Sequence, residues 1–259
     1  MNKPKITIII NQNNDLPAIS SVLKNAGDAS ECFVINNSVR NIEQYLENKK
    51  IKILNDISID EAINLASGEY ILLLNANDIL TSDTIDNISY MIDFTDADII
   101  KYNSLKPSNQ NEIPTDKKCI FQYVFNKQNI IDYVFNSISE FCFKKDVIKN
   151  LDFSNQHSFI TRALSVAKDM AVTKHNCIIC QNNNILTPTD IIKNYNYNHD
   201  RLPEVFWKKY FKITTAQVIR QTIKNDDRKT FFGFCNQIPL KLIPLQYRFI
   251  CYIFKKTNK

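Results

Sequence analysis

The stretch Ala66-Ser67-Gly68-Glu69-Tyr70-Ile71-Leu72-Leu73-Leu74-Asn75-Ala76-Asn77-Asp78 decides how the rest of this chain is read. Its apolar run, Tyr70 to Leu74, has the length and character of a buried strand. The run stops abruptly at a polar tetrad, Asn75-Ala76-Asn77-Asp78. Open α/β sheets bind ligands just beyond the carboxyl ends of their strands. A short polar cluster in that position is therefore a candidate site.

Working outward, apolar strands and helical segments alternate. Lys5–Ile10 reads as a strand, and Leu16–Asn25 as a helix with Asp15 able to cap it and Pro17 in its first turn. Cys32–Ile35 is a second strand, Ile42–Asn48 a short helix and Ile51–Leu54 a third strand. Ser58–Ala66 is a helix opened by a Ser58/Glu61 capping box and stopped by Gly68. Beyond the tetrad, Thr81–Phe94 is expected to be helical and Ala97–Tyr102 to be a strand. This alternation implies an α/β fold with a doubly wound, mostly parallel sheet.

The later part is less regular. Residues 103–118 are polar, with two prolines, and read as an exposed loop. Asn129–Phe135 is expected to be helical, Glu140–Phe143 a strand, Lys145–Lys149 and Phe159–Lys168 helices, Met170–Cys180 a strand and 181–184 a turn. From Pro203 onward the pattern is helical, with aromatics among lysines. The expected organisation is an α/β domain over 1–200 and a basic helical extension over 201–259.

Composition narrows the function. The chain has 259 residues and no apolar run near the roughly 18–20 that a membrane span needs. The N-terminus enters a strand directly, so a cytoplasmic location is expected. The glycines are Gly27, Gly68 and Gly233 alone, too few for a phosphate-binding Walker loop or a G-x-G-x-x-G fingerprint. Seven scattered cysteines do not suggest a disulfide framework. Cys177 and Cys180, with His175 nearby, form either a zinc half-site or a pair of buried strand cysteines.

Net charge is +5, unevenly spread: from Arg201 onward 13 Lys/Arg face 3 Asp/Glu, a local excess of +10. A basic, aromatic tail on an acidic body points to an anionic surface. Val205–Lys212 and Leu240–Lys256 read as interfacial membrane helices or as core-packed helices with a solvated basic face. Nucleic acid is the weakest partner, because no recognition motif accompanies the charge.

Four blocks resemble the family 2 glycosyltransferases, which have the GT-A fold; the resemblance covers about residues 3–185. Thr7–Ile10 matches the family's first strand, and of the P-V-Y-N that follows there only Asn14 is kept. Glu31–Ser38 aligns with the strand that ends D-D-G-S in the family, so Asn36 and Asn37 stand in place of two aspartates, one of which in the family accepts the uracil N–H of the donor. An amide oxygen still accepts a hydrogen bond from uracil, without the help of charge. The tetrad aligns with L-D-S-D-D, the divalent-cation site. Asn75 and Asn77 occupy carboxylate positions, and Asp78, which aligns with the next family Asp and not with the usual metal ligand, is the one carboxylate left in the tetrad to serve the ion.

The fourth block, Phe153–Val172, resembles the helix F-x-x-R-A-L-x-x-A-K that follows an acidic pair in the family. The pair is Asn155-Gln156 here, and an amide cannot take a proton near neutral pH. His157, adjacent and titratable near pH 7, is a candidate substitute base. Nearby acids able to compensate for the losses are Asp56, Asp60, Asp83 and Asp152, each also readable as a cap or surface charge.

The resemblance implies a sugar transferase using a nucleotide-sugar, UDP-linked, donor and a glycan or lipid-linked acceptor, in surface polysaccharide synthesis at the inner membrane face. Donor contacts would come from Asn14, Asn36, Asn37, Asn75 and Asn77; catalysis from Asn155, Gln156 or His157; and Mn²⁺ or Mg²⁺ would sit at Asp78. The amides equally imply the alternative: an impaired pseudo-glycosyltransferase, needing no cofactor, that binds or scaffolds a partner glycosyltransferase.

Overall fold

A computed structural model describes residues 4–12, 17–25, 30–36, 51–105, 120–124, 130–153, 155–179, 186–225 and 227–257. The expected helix at 42–48, the turn at 181–184, most of the loop at 103–118, and Asn14 and Asn37 lie outside those residues.

Contacts divide the chain into two compact units, the first being 1–125, 136–153 and 166–183, the second 126–135, 154–165 and 184–259. The second unit thus draws on three segments from within 1–200, namely 126–135, 154–165 and 184–200, besides the basic C-terminal part.

The first unit is built on a mixed sheet. Its strands are β1 (Ile6–Gln12), β2 (Ser30–Asn36), β3 (Ile51–Asn55), β4 (Tyr70–Asn75), β5 (Ile79–Leu80), β6 (Ile99–Leu105), β7 (Ile120–Val124), β8 (Phe141–Lys144) and β9 (Asp169–Ile179). The order is β3-β2-β1-β4-β8-β6-β9-β5, with β7 also on β9. The long ladders β2–β3, β1–β2, β1–β4 and β6–β9 are parallel, and the short β8 runs antiparallel between β4 and β6. This is an α/β fold with a mostly parallel sheet followed by C-terminal helices. Ile6, Ile8, Ile10, Leu72 and Leu74 are buried in one cluster, and Ile9, Ile71 and Leu73 between them are buried as well, so both faces of these strands are covered and they read as apolar runs.

Helices α1 (Pro17–Asn25), α2 (Ile59–Leu65), α3 (Thr84–Thr95) and α4 (Lys145–Ile148) accompany the sheet. The Ser58/Glu61 capping box forms as the sequence suggests. α3 begins at Thr84 instead of Thr81 because Ile79–Leu80 pairs with the end of β9, and Asp83 then turns the chain at φ 62°. Glu140 was expected in a strand but closes a 3-10 turn, Ile138–Glu140, that leads into β8.

The second unit contains α5 (Gln156–Val166, whose last residue falls in the first unit), α6 (Pro188–Asn198), α7 (Glu204–Lys224), α8 (Arg228–Gln237) and α9 (Leu245–Thr257). Among the described residues of Asn129–Phe135, helix is present only as a 3-10 turn, Ile130–Asp132. α6 has a sequence signal that the strand-and-helix reading passed over: Thr187 caps Asp190 in a second capping box, with Pro188 in the first turn. Phe206, Trp207, Tyr210 and Phe211 of α7 are buried and stack edge-on with one another and with Tyr195 and Phe234. Of the two readings of Val205–Lys212, interfacial or core-packed, Trp207 and Phe211 bear out the core-packed one. They face inward because α7 is the central helix of an aromatic cluster.

Candidate functional site

β1, β2 and β4 are adjacent and parallel, so their carboxyl ends share one edge of the sheet. The register pairs Ile10 with Leu74, Asn11 with Asn75, and Gln12 with Asn36. Asn36 reaches sideways, its Nδ2 donating to Asn55 Oδ1 on β3 at 3.2 Å. The edge thus carries a row of amides from four strands.

The tetrad folds as a tight turn. Asp78 N–H donates to Asn75 O at 3.0 Å, and Ala18 N–H donates to Ala76 O at 3.2 Å, tying the start of α1 to the turn. Asp78 is 0% exposed. Its Oδ2 accepts from Asn75 Nδ2 at 2.8 Å and from the Ser139 hydroxyl. Asn75 Nδ2 also lies 3.2 Å from Ser139 Oγ and 3.4 Å from Ser137 Oγ. The carboxylate is thus held inside the turn by donors of the protein, while Asn75 and Asn77 are half-buried.

A second buried network adjoins this one. Tyr102 OH donates to Ser139 O at 2.8 Å. Lys101 Nζ donates to Glu140 Oε2 at 2.7 Å, while Ser104 and Asn136 donate to the same carboxylate at 2.8 and 2.6 Å. Ser137, Ser139, Glu140 and Lys101 were missed by sequence reasoning. The signal available was the polar run Ser137-Ile138-Ser139-Glu140 set directly before an apolar strand.

Of the fourth block, residues 154–165 belong to the second unit, and Phe153 and 166–172 to the first. Asn155 Oδ1 accepts from Ser158 N–H at 2.8 Å, so this amide caps α5. Gln156 is half-buried in the first turn. His157 is buried, with Nδ1 2.8 Å from Val134 O and Nε2 2.6 Å from Tyr210 OH, and its ring stacks on both Phe135 and Tyr210, which also stack on each other. Nδ1–H donating to the carbonyl leaves Nε2 to accept from the phenol, so the ring is neutral with both nitrogens in use. Burial pushes its pKa down to about 4, and the Val134 carbonyl opposes this only partly.

That burial predicts a pH effect. In the unfolded chain the ring takes a proton below about 6.5, in the folded chain only near 4. Between those values the unfolded state binds more protons, so stability is full above pH 6.5 and is lost as pH falls toward 4. Urea denaturation at pH 7 and pH 5 should differ by about 2 kcal/mol from this group. The variant His157→Asn, with no titrating ring, should flatten that part of the slope; an unchanged slope would refute the assignment.

The compensating acids are placed as structural groups. Asp60 accepts from Phe153 N–H at 3.0 Å, Asp56 and Asp83 sit at positive φ in turns, and Asp152 is exposed. Cys177 is buried, and burial raises its thiol to about 12, so it stays protonated. Cys180 and the side chain of His175 lie outside the described residues. Among the described residues no group of three or more His, Cys, Asp or Glu is arranged to hold a metal ion.

The fold is similar to that of TarS from S. aureus. A 1–349 form of TarS in complex with UDP matches with a TM-score of 0.68 at 12% identity, over 97% of this chain and 87% of that one. The same form in complex with UDP-GlcNAc matches at 0.71 and 12%, with the same coverage. A longer TarS chain matches at 0.70 and 14%, over 98% of this chain but 53% of that one, so this chain spans about half its length. No protein-family model matches the chain, and no curated protein matches it. At such identity the likeness establishes a GT-A-like fold.

Proposed function

We propose that this chain binds a UDP-linked sugar at the carboxyl edge of β1, β2 and β4, as a glycosyltransferase-like protein of surface polysaccharide synthesis with a glycan or lipid-linked acceptor. Two lines support the reading: the edge gathers Asn36, Asn75 and Asn77, and TarS, which shares the fold, has been captured with UDP and with UDP-GlcNAc. Amide groups can hydrogen-bond a base, ribose or sugar hydroxyl without charge.

The residues do not fit a resident Mn²⁺ or Mg²⁺. Hard divalent cations favour charged oxygen ligands. Asn75 and Asn77 offer neutral oxygens, and the one carboxylate of the tetrad is buried and occupied by Ser139 and Asn75. No step is therefore assigned to a metal. Asn155 acts as a helix cap and His157 as a neutral packing group, so neither is offered as a general base.

The burial of Asp78 is the observation that favours a second reading. In it the protein holds a nucleotide sugar, or a partner glycosyltransferase, with its own hexosyl transfer impaired. We favour this reading. Calorimetry with UDP tests it: Mn²⁺ should change the affinity of the unmodified protein by less than about twofold, since no carboxylate pair is present to hold the ion. In the double variant Asn75→Asp with Asn77→Asp, a new carboxylate faces the buried Asp78. It should melt lower without metal through like-charge repulsion, be rescued by Mn²⁺, and bind UDP metal-dependently. Strongly Mn²⁺-dependent UDP binding by the unmodified chain would overturn the impaired reading. Absence of any UDP binding would overturn the donor site itself.

A further inference from the structure

We propose that the outward face of α9 seats this protein on an anionic lipid surface. The inward side of the helix is fixed by Cys251, which is fully buried, and by Arg248, whose guanidinium donates to Ile243 O at 2.8 Å and Lys241 O at 3.0 Å. The other side carries Leu245, 79% exposed, and Phe249, 70% exposed, with Ile250, Tyr252 and Ile253 at 39%, 45% and 41%. The spacing i, i+4, i+7 and i+8 from Leu245 puts four of these on one stripe. A helix that merely covers a core turns its apolar side in and its polar side out. α9 turns apolar side chains outward as well, which is costly in water.

Charge selects the occupant. From Arg228 to Lys259 the sequence holds seven Lys or Arg and no Asp or Glu. A second copy of the chain would set this cationic segment against itself. A nucleic acid would leave the apolar stripe in water. An anionic bilayer meets both features, with the stripe at the acyl boundary and the basic groups among the headgroups. α9 has 13 residues and lies in the interface plane, since no described helix is long and apolar enough to cross a membrane.

Flotation of the full chain with vesicles tests this, and the readout is independent of UDP binding. With phosphatidylglycerol mixed into phosphatidylcholine the protein should float at low salt, and less so at high salt as the charges are screened. Pure phosphatidylcholine should bind at least about tenfold more weakly. The variant Leu245→Ser with Phe249→Ser should keep its melting temperature, because both side chains are exposed, yet lose at least about tenfold in vesicle affinity. Lys255→Glu with Lys256→Glu should remove much of the salt-sensitive part. Equal binding to both vesicle types, no binding to either, or a dimer that the Leu245/Phe249 variant splits while vesicles stay unbound would each overturn the proposal.

Discussion

Replacing Gly68 with alanine is expected to cost about 3 kcal/mol or more of folding stability, a severe case of overpacking. A Cβ on Gly68 would lie 2.5 Å from Thr7 N, 2.6 Å from Thr7 Oγ1 and 2.8 Å from Ile6 C. Two of those atoms are backbone of β1, in the middle of the sheet, and cannot step aside. The contact also carries hydrogen bonds: Gly68 N–H donates to Thr7 Oγ1 at 2.9 Å, and Ser67 N–H to Glu31 Oε1 at 2.6 Å. Burial acts to raise the pKa of Glu31, but bonds from Thr7, Ser67 and Gly68 outweigh it and hold the carboxylate below its usual range. Any outward shift of residue 68 strains that set as well.

Gly233 is the matched control. It lies inside α8, and a Cβ there meets only Gln237 Nε2 at 3.8 Å. Gly233→Ala should stabilise by about 0.5–1 kcal/mol, because glycine in a helix interior sacrifices backbone entropy. Urea denaturation of the two variants should therefore move in opposite directions. If Gly68→Ala costs less than Gly233→Ala gains, the close approach of the Ala66–Asp78 stretch to β1 is wrong.

The other large effect is expected at the Lys101–Glu140 pair. Both side chains are buried, at 2.7 Å, and Lys101 also lies over the Phe141 ring. Lys101→Met leaves a buried carboxylate with only Ser104 and Asn136 as donors, which should cost about 3–5 kcal/mol. Adding Glu140→Gln removes the stranded charge and keeps an acceptor, so the double variant should recover at least half of the loss. Equal stability of the single and double variants would mean that the carboxylate is not desolvated as described. The pair flanks Ser139, which holds Asp78, so the single variant should also weaken UDP binding if the edge of β1, β2 and β4 is the donor site.

Much of this was legible in the chain itself. Strands such as Tyr70–Leu74 are apolar at every position because both faces are covered, and that pattern needs no partner to be read. The Ser58/Glu61 cap is local, and so is the polar break at Asn75. Local chemistry also fixed that Asn75, Asn77 and Asn155 cannot act as carboxylates, whatever surrounds them.

What depended on distant neighbours was not legible. His157 looks titratable in sequence; Val134, Phe135 and Tyr210, brought to it by folding, make it neutral. Asp78 looks like a surviving metal ligand; Ser139, 61 residues away, turns it into a buried acceptor. Trp207 and Leu245 both belong to basic, aromatic stretches, yet one is core and the other exposed. Side-chain type and spacing determined where strands, helices and polar breaks fall. Burial and hydrogen-bond partners, which arise only when residues far apart in sequence meet, decided which of the polar groups keep a charge or a free face to use.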